Sequence, residues 1–516
     1  MKKNICAVLF VTFFISTGLL FASEKTADGA FVSSQLQKVP YSLDLQEYPE
    51  YSDYQKLLQE ESNIPEEDFM SVKYIGILTQ EEFELCSRGA EQRTKALLLF
   101  LKDIYSGENN VIKDNIIPES IVEYAMESQG FREFVGKLQI ETMAIICGSD
   151  LNLQRNQDGK ITVIEDNIGS LGGREDIYAM ADVLRRSFEQ FNVFDPYQLE
   201  SDYINKMKSW FLPLSGKYVM YCSDAIRMGE TFSPKRAVLN EKSIDFADQD
   251  DLYVLDDRVF LKSYQKGDND FEVSFIDHNG YDFSLDLSCE LFRNRYEEIG
   301  ESLEEAQDIP GSLGAILAGN LIVGHAPGTS MADSKIIYPF VEEFIRYYLG
   351  EEPIFASTKS YGLMIDNIPV HEIPSLSLAE AIENKDELVL KPIRGAGGYG
   401  VVVGKNVDDA EWFEAVEVAF SSCPEDFLFF EYVEILQEKG YSLIHRVFVD
   451  AYQEHTSTRP GAYLRMTEAE GAGVVRVGAK DTVATVSLIE KINCDGLLQE
   501  RDGSLQEGLL LEKDAA

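Results

Sequence analysis

Histidine and tryptophan are almost missing from this chain of 516 residues: there are five of the first and two of the second. Five dispersed histidines do not suggest a zinc site, and no convincing Ser/His/Asp nucleophile can be assembled. Positive charge is also scarce. Lys and Arg total 46 against 89 Asp and Glu, a net charge of −43. Such a balance repels backbone phosphates and argues against a general nucleic-acid binder. A site for a small polyanion would need local positive charge or a divalent cation. Seven cysteines are present, none in a C-x-x-C pair. Cys6 lies in an N-terminal apolar run. The other six (Cys86, Cys147, Cys222, Cys289, Cys423, Cys494) are far apart and read as scattered thiols, not as a disulfide framework. No internal repeat is visible, and no later apolar run is long enough to span a bilayer.

With 45% hydrophobic and 11% aromatic residues the chain is of globular composition. Its length suggests two to four subdomains. It begins Met1-Lys2-Lys3, continues in an apolar run over 5–21, and then reads Ala22-Ser23-Glu24. Two lysines, a short apolar core and small residues make a secretory signal peptide over 1–22, with Leu20 and Ala22 at the −3 and −1 positions. The protein is then expected to be exported, periplasmic or secreted. An uncleaved leader would instead leave it membrane-anchored by residues 5–21.

The stretch around which the rest is organised is 387–405, ELVLKPIRGAGGYGVVVGK. An apolar run delivers Lys391. Gly395, Gly397, Gly398 and Gly400 follow, then three valines and Gly404. Bare backbone of this kind lets N–H groups approach an anion, and a lysine at its mouth is a natural phosphate partner. A dinucleotide fold would need a helix after the glycines; the valines signal a strand instead. A Walker A loop fails at Tyr399 and Asn406. A strand–glycine–strand flap over a triphosphate remains, beside an ordinary Gly-rich hairpin.

An acidic segment lies far upstream, at 148–173, GSDLNLQRNQDGKITVIEDNIGSLGG. NQDG is a tight-turn signal, so a hairpin is expected to bring Asp150 close to Glu165 and Asn167. Strand alternation puts Glu165 and Asn167 on one face. Hard oxygen ligands there suit Mg²⁺, although solvated surface acids would read the same way. Thr79 with Glu82 makes a capping-box start for a helix pair over 79–106. A second helix signal starts at Pro118. Strands dominate 217–291, with turns at Asp256-Asp257 and Asn279-Gly280. A helix is expected over 332–349 with Lys335 near its start, and a last short strand after Lys480.

Taken in order, these blocks resemble the circularly permuted ATP-grasp proteins of the second type. The resemblance runs from about residue 77 to 487. It includes the Gln92-Arg93 helix with LLLFLKDIY, then IIPESIV, DLNLQRNQDGKITVIEDN, GHAPGTSMADSK, IRYYLGEEPI, LKPIRGAGGYGVVVG, FEYV, HRVFV, RPGAYLR and AKDT. In ordinary ATP-grasp order the acidic strands follow the glycine flap. Here they precede it, as permutation requires. The resemblance implies an α/β (α+β) fold: an ATP-grasp core in permuted order, a helical N-terminal segment and a mixed α/β pre-grasp-like domain. The divisions expected are 1–22, signal peptide; 23–135, mostly helical; 136–212, metal-binding part of the core; 213–330, mixed α/β; 331–487, nucleotide-binding core; and 488–516, acidic tail.

The resemblance also implies roles. Lys335 and Lys391 contact the phosphates of ATP, under a flap formed by Gly395, Gly397, Gly398 and Gly400. Glu431, Tyr432 and Val433 hold the adenine edge. Asp150, Glu165 and Asn167 hold Mg²⁺. Arg446, Arg465 and Lys480 serve catalysis. The implied reaction joins a carboxylate to an amine, on a small molecule or peptide, through an acylphosphate. A catalytically degenerate, secreted relative that binds nucleotide or a partner is the alternative.

Overall fold

The structure is a computed structural model. It describes residues 42–61, 74–128, 132–154, 160–168, 174–189, 191, 198, 201–202, 205–206, 209–210, 217–221, 245–247, 251–263, 268–278, 309–324, 326–394, 398–459, 461–468 and 482–490. The leader expected over 1–22, the Asn279-Gly280 turn, Gly395, Gly397, Lys480 and most of the expected tail lie outside the described residues. Among the described residues no helix is long and apolar enough to cross a membrane.

In chain order the strands are β1 (Ser42–Asp44), β2 (Tyr74–Thr79), β3 (Ala144–Gln154), β4 (Lys160–Ile168), β5 (Lys217–Tyr221), β6 (Asp245–Ala247), β7 (Leu252–Leu255) and β8 (Arg258–Leu261). They continue with β9 (Phe271–His278), β10 (Ile322–Val323), β11 (Ala356–Ser357), β12 (Ser360–Ile365), β13 (Ile368–Pro369), β14 (Ser375–Ser377), β15 (Leu388–Pro392) and β16 (Val402–Val403). The last are β17 (Phe427–Glu431), β18 (Gln437–Glu438), β19 (Tyr441–Tyr452), β20 (His455–Thr458), β21 (Ala462–Glu468) and β22 (Thr482–Glu490). Among the described residues they form a mixed α/β fold with three sheets.

The largest sheet has ten strands, in the order β1-β2-β22-β21-β19-β3-β4-β11, with β18 and β20 on β19. It therefore sets early β3 directly against late β19, Asp150 opposite Arg446. The sheet draws strands from both sides of the expected divisions at 135 and 331. Its β22 pairs in parallel with β2 as far as Glu490. The last strand is thus nine residues long and runs past the expected start of the tail at 488. A non-local parallel pairing of this kind leaves no local sequence signal.

One long helix, Gln80–Ser106, packs on this sheet. Thr79 caps it: its hydroxyl accepts from the Glu82 N–H while the Glu82 carboxylate accepts from the Thr79 N–H. The expected helix pair is one continuous helix of 27 residues. Gly89 does not break it but gives room to the Phe355 ring, which a Cβ there would strike. The expected helix over 332–349 starts later than expected: Thr329–Asp333 is a separate short turn, and unbroken helix runs from Tyr338 to Leu349, its hydrogen-bonding pattern widening along Tyr338–Phe340, Val341–Phe344 and Ile345–Leu349. Pro339 sits in the first turn of that helix, where its missing N–H is not needed.

A second sheet, β6-β5-β9-β8-β7 with β10 on β9, forms the mixed α/β part. Its β7–β8 turn holds Asp256 and Asp257 at φ of 50° and 54°, both left-handed as a two-residue hairpin requires. The third sheet, β13-β12-β17-β15-β16 with β14 on β12, carries the glycine stretch. Helices Leu378–Glu383 and Asp409–Ser422 cover it through Trp412, Val416, Leu390 and Phe429. Trp412 Nε1 donates to the Ala381 carbonyl at 3.0 Å. Gly404 lies so close to the Lys385 and Leu388 carbonyls that a Cβ would overlap them. Because backbone cannot yield as a side-chain tip can, Gly404→Ala is expected to cost about 1–3 kcal/mol. A chemical-denaturation midpoint equal to the unmodified protein's would contradict this.

Candidate functional site

The expected NQDG turn lies outside the described residues, but the strands on either side of it pair as a hairpin. β3 and β4 pair antiparallel with Asp150 opposite Glu165 and Gly148 opposite Asn167, and the register shifts by a bulge just after Asp150. Asp150, Glu165 and Asn167 thus share one end and one face of the hairpin, and Asn167 Nδ2 lies 3.4 Å from Asp150 Oδ2. The glycine stretch reads strand, glycines, strand: β15 and β16 pair antiparallel, Leu390 opposite Val402. Gly398 and Gly400, each at a φ of 71°, turn the chain back between them, a conformation that favours glycine.

These two pieces meet. A cavity is lined by Glu165 of β4, Lys391 of β15, Phe430 of β17, and Asp333, Ser334 and Lys335 of the turn before 338. Lys335 Nζ is 3.0 Å from Glu165 Oε1. Lys391 Nζ lies over the Phe430 ring, 4.4 Å from its centre. Burial and the neighbouring Lys335 charge push the Lys391 amine down to about 8, although Glu165 and Asp150 pull the other way. Burial opposes the charge on Lys335 too, but Glu165 and Asp333 outweigh it and raise its pKa. Burial likewise opposes ionisation of Glu165, and Lys335 with Lys391 overcomes that and holds its pKa below the usual range. The two lysines therefore differ: one is firmly charged, the other poised to gain or lose a proton near neutrality.

Next to this cavity Asp150 is 3% exposed and takes three charged contacts. Arg446 Nε donates to Oδ1 at 2.7 Å and Nη2 to Oδ2 at 2.9 Å. Arg465 Nη2 reaches Oδ2 at 2.5 Å. Burial would raise the Asp150 pKa, but the two guanidiniums press it down to about 2. Lys335, Lys391, Arg446 and Arg465 face Asp150, Glu165 and Asp333. The site concentrates cations in a chain with a net charge of −43, as a site for a small polyanion must.

A divalent cation is implied by the fold type, and the donor types fit one: two carboxylates and an amide on one hairpin face. The present partners of the two carboxylates are the protein's own cations, however, and the Asn167 amide donates to the Gly148 carbonyl at 3.0 Å. Among the described residues no group of three or more His, Cys, Asp or Glu is arranged to hold a metal ion. Glu165 and Asn167 would hold the ion, and Asp150 would join only by giving up arginine contacts.

Glu431, Tyr432 and Val433 stand at the end of β17. The Glu431 N–H donates to the Lys359 carbonyl at 2.8 Å and the Tyr432 N–H to the Glu387 carbonyl at 2.7 Å. Glu431 and Lys359 also lie 3.7 Å apart as an ion pair, and Lys405 Nζ sits 4.9 Å from the Tyr432 ring centre. The backbone N–H groups of Glu431 and Tyr432, two of the three residues expected at the adenine edge, are thus engaged inside the protein.

Sequence reasoning missed Asp333, whose carboxyl is pushed up to about 7 by burial and by the nearby Glu165 charge. Its one signal was position, two residues before Lys335. It also missed Phe430 as the surface under Lys391, and Ser334, whose Oγ is buried with no partner among the described residues.

Comparison with known proteins fits this geometry. An uncharacterised protein of Synechocystis sp. is 27% identical over 352 residues, 65% of each chain. A Frankia alni protein named "Putative glutamate–cysteine ligase 2-3" is 27% identical over 338 residues, 64% of this chain and 36% of that one. The match spans less than two thirds of these relatives' own length. Among solved structures, a glutathione synthetase-like effector from Globodera pallida in apo form superposes with a TM-score of 0.50 at 11% identity, covering 87% of this chain and 98% of that one; this likeness is one of fold. The family model described as circularly permuted ATP-grasp type 2 matches residues 76–467, and the chain belongs to that family.

Proposed function

We propose that the protein is an ATP-dependent carboxylate–amine ligase acting through an acylphosphate, with ATP bound between the 391–404 flap and the β3–β4 hairpin. The observation that carries the reading is the convergence of Lys391, Lys335 and Glu165 on one cavity, although 226 positions separate Glu165 from Lys391. Family membership and the name carried by the Frankia relative support the reaction class.

In this reading Lys335 and Lys391 face the phosphates. A carboxylate oxygen of the acid substrate attacks the γ-phosphorus, and ADP leaves. The amine then attacks the acylphosphate carbon through a tetrahedral intermediate, and phosphate departs as the amide forms. A bound magnesium ion would supply further charge neutralisation on the phosphate oxygens. The chain's own contribution is positioning and fixed positive charge around the moving phosphoryl group. Arg446 and Arg465, held on Asp150, would add guanidinium charge beside that group.

Calorimetric titration of ATP with Mg²⁺ into the protein tests the reading. A single site is expected, with Glu165→Ala weakening it about tenfold or more, the usual scale for a lost charge-assisted contact. ADP release on mixing with amino acids and short peptides would then identify the acid and amine. If no heat or displacement signal from ATP appears, the nucleotide reading is wrong.

A further inference from the structure

Strand alternation sends Asp166 to the face opposite Glu165 and Asn167. There it meets Arg93 of the 80–106 helix, 1% exposed. Arg93 Nε donates to both Asp166 oxygens, at 2.9 and 3.2 Å, and Nη2 donates at 2.5 Å. Ser149 Oγ of the neighbouring strand donates to the same carboxylate at 2.8 Å. The carboxylate between the two site residues is therefore saturated and fixed.

Arg93 reaches further. Its Nη1 donates to Ser357 Oγ at 3.0 Å. Ser357 is in β11, which pairs in parallel with β4. Three residues beyond Ser357, β12 opens the third sheet, the sheet that carries Lys391. The adjacent Gln92 grips the approach to β11. Its Nε2 donates to Glu351 Oε2 at 2.8 Å and to the Glu352 carbonyl at 3.0 Å, and its Oε1 accepts from the Ile354 N–H at 2.9 Å. Two consecutive side chains thus tie the carboxylate hairpin and the entry to the lysine-bearing sheet to one helix.

A buried ion pair is a weak source of net stability; a planar five-donor fork is a strong source of geometry. We propose that Gln92 and Arg93 are positioning residues, fixing the spacing between Glu165 on the hairpin and Lys391 on the third sheet. The proposal rests on the nucleotide-site reading above.

The test compares ATP–Mg²⁺ affinity and thermal melting in the full chain. Arg93→Met alone strands Asp166 and would melt early for that reason. The informative variant is the double substitution Arg93→Met with Asp166→Leu, which removes both charges. It is expected to melt close to the unmodified protein yet bind ATP about tenfold more weakly, as loss of outer supports does at other sites. Gln92→Leu and Ser357→Ala keep the buried pair and cut only the ties to 351–357; each is expected to weaken ATP binding by about threefold or more, with melting lowered only modestly by the hydrogen bonds removed. Arg93→Lys keeps the charge but not the fork, and is not expected to restore affinity. Unchanged ATP affinity in Gln92→Leu and Ser357→Ala overturns the proposal, as does a folded double variant with full affinity. Absence of ATP binding by the unmodified protein would overturn the nucleotide reading and this proposal with it, and is distinguishable because it precedes any substitution.

Discussion

Replacing Lys391 with Met is expected to weaken ATP binding by about 100-fold, roughly 2.7 kcal/mol, while leaving the folded protein as stable as before or more so. Both halves follow from the same environment. Lys391 lies against the Phe430 ring and beside Lys335. Water is partly excluded, so its charge acts strongly on a phosphate oxygen brought into the cavity. The same exclusion makes the charge costly when no anion is there. The sign of the pH dependence follows. The amine titrates at about 8 in the folded chain against 10.5 ordinarily, so the unfolded chain binds the proton more tightly. That penalty on folding is present in full below pH 8, shrinks between pH 8 and 10.5, and is gone above. The melting advantage of Lys391→Met should therefore be largest near pH 7 and vanish above pH 10.5. A site residue that weakens its protein in exchange for binding is the usual compromise. Loss of stability at pH 7 together with unchanged ATP affinity would mark Lys391 as a structural cation.

Asp150→Ala should destabilise the protein by about 3–5 kcal/mol, because it leaves two buried guanidiniums without their counter-charge. The Asp150 carboxyl, pressed from 3.8 to about 2, favours folding at all pH values above about 4. That contribution is lost as pH falls through 2, so the gap between Asp150→Ala and the unmodified protein should narrow steeply in that window. Replacing all three charges together, Asp150→Leu with Arg446→Met and Arg465→Met, should recover most of the loss while leaving the site without its guanidiniums. Urea unfolding at pH 7 is the measurement. A cost below about 1 kcal/mol for Asp150→Ala would show that the arginines do not depend on it.

Much of the site was legible because its parts are local. The NQDG signal announces two antiparallel strands, whereas the pairing of Asp150 with Glu165 depends on a bulge after Asp150 that no turn signal specifies. The three valines after the glycines distinguish a flap from a dinucleotide loop. Thr79 and Glu82 cap the long helix where the spacing predicts. What was illegible is contact between distant segments. Arg446 meets Asp150 across 296 positions, and neither strand's pattern announces the other. Arg93 was visible as part of a recurring block, but its hold on Asp166 depends on which face of β4 meets the long helix. Asp333 looked like one acid among 89 until burial beside Glu165 set it apart. The 332–349 stretch has helical composition, yet the helix starts only at Tyr338, and Lys335 lies before it on the segment that lines the cavity.

The central claim is that an early acidic hairpin and a late lysine-bearing flap hold one nucleotide between them. A structure of the protein with a non-hydrolysable ATP analogue and Mg²⁺ tests it most directly. The account predicts the terminal phosphates between Lys335, Lys391 and Glu165, beneath the chain that links β15 to β16. An analogue bound elsewhere, with the hairpin and the flap both untouched by its phosphates, would contradict it.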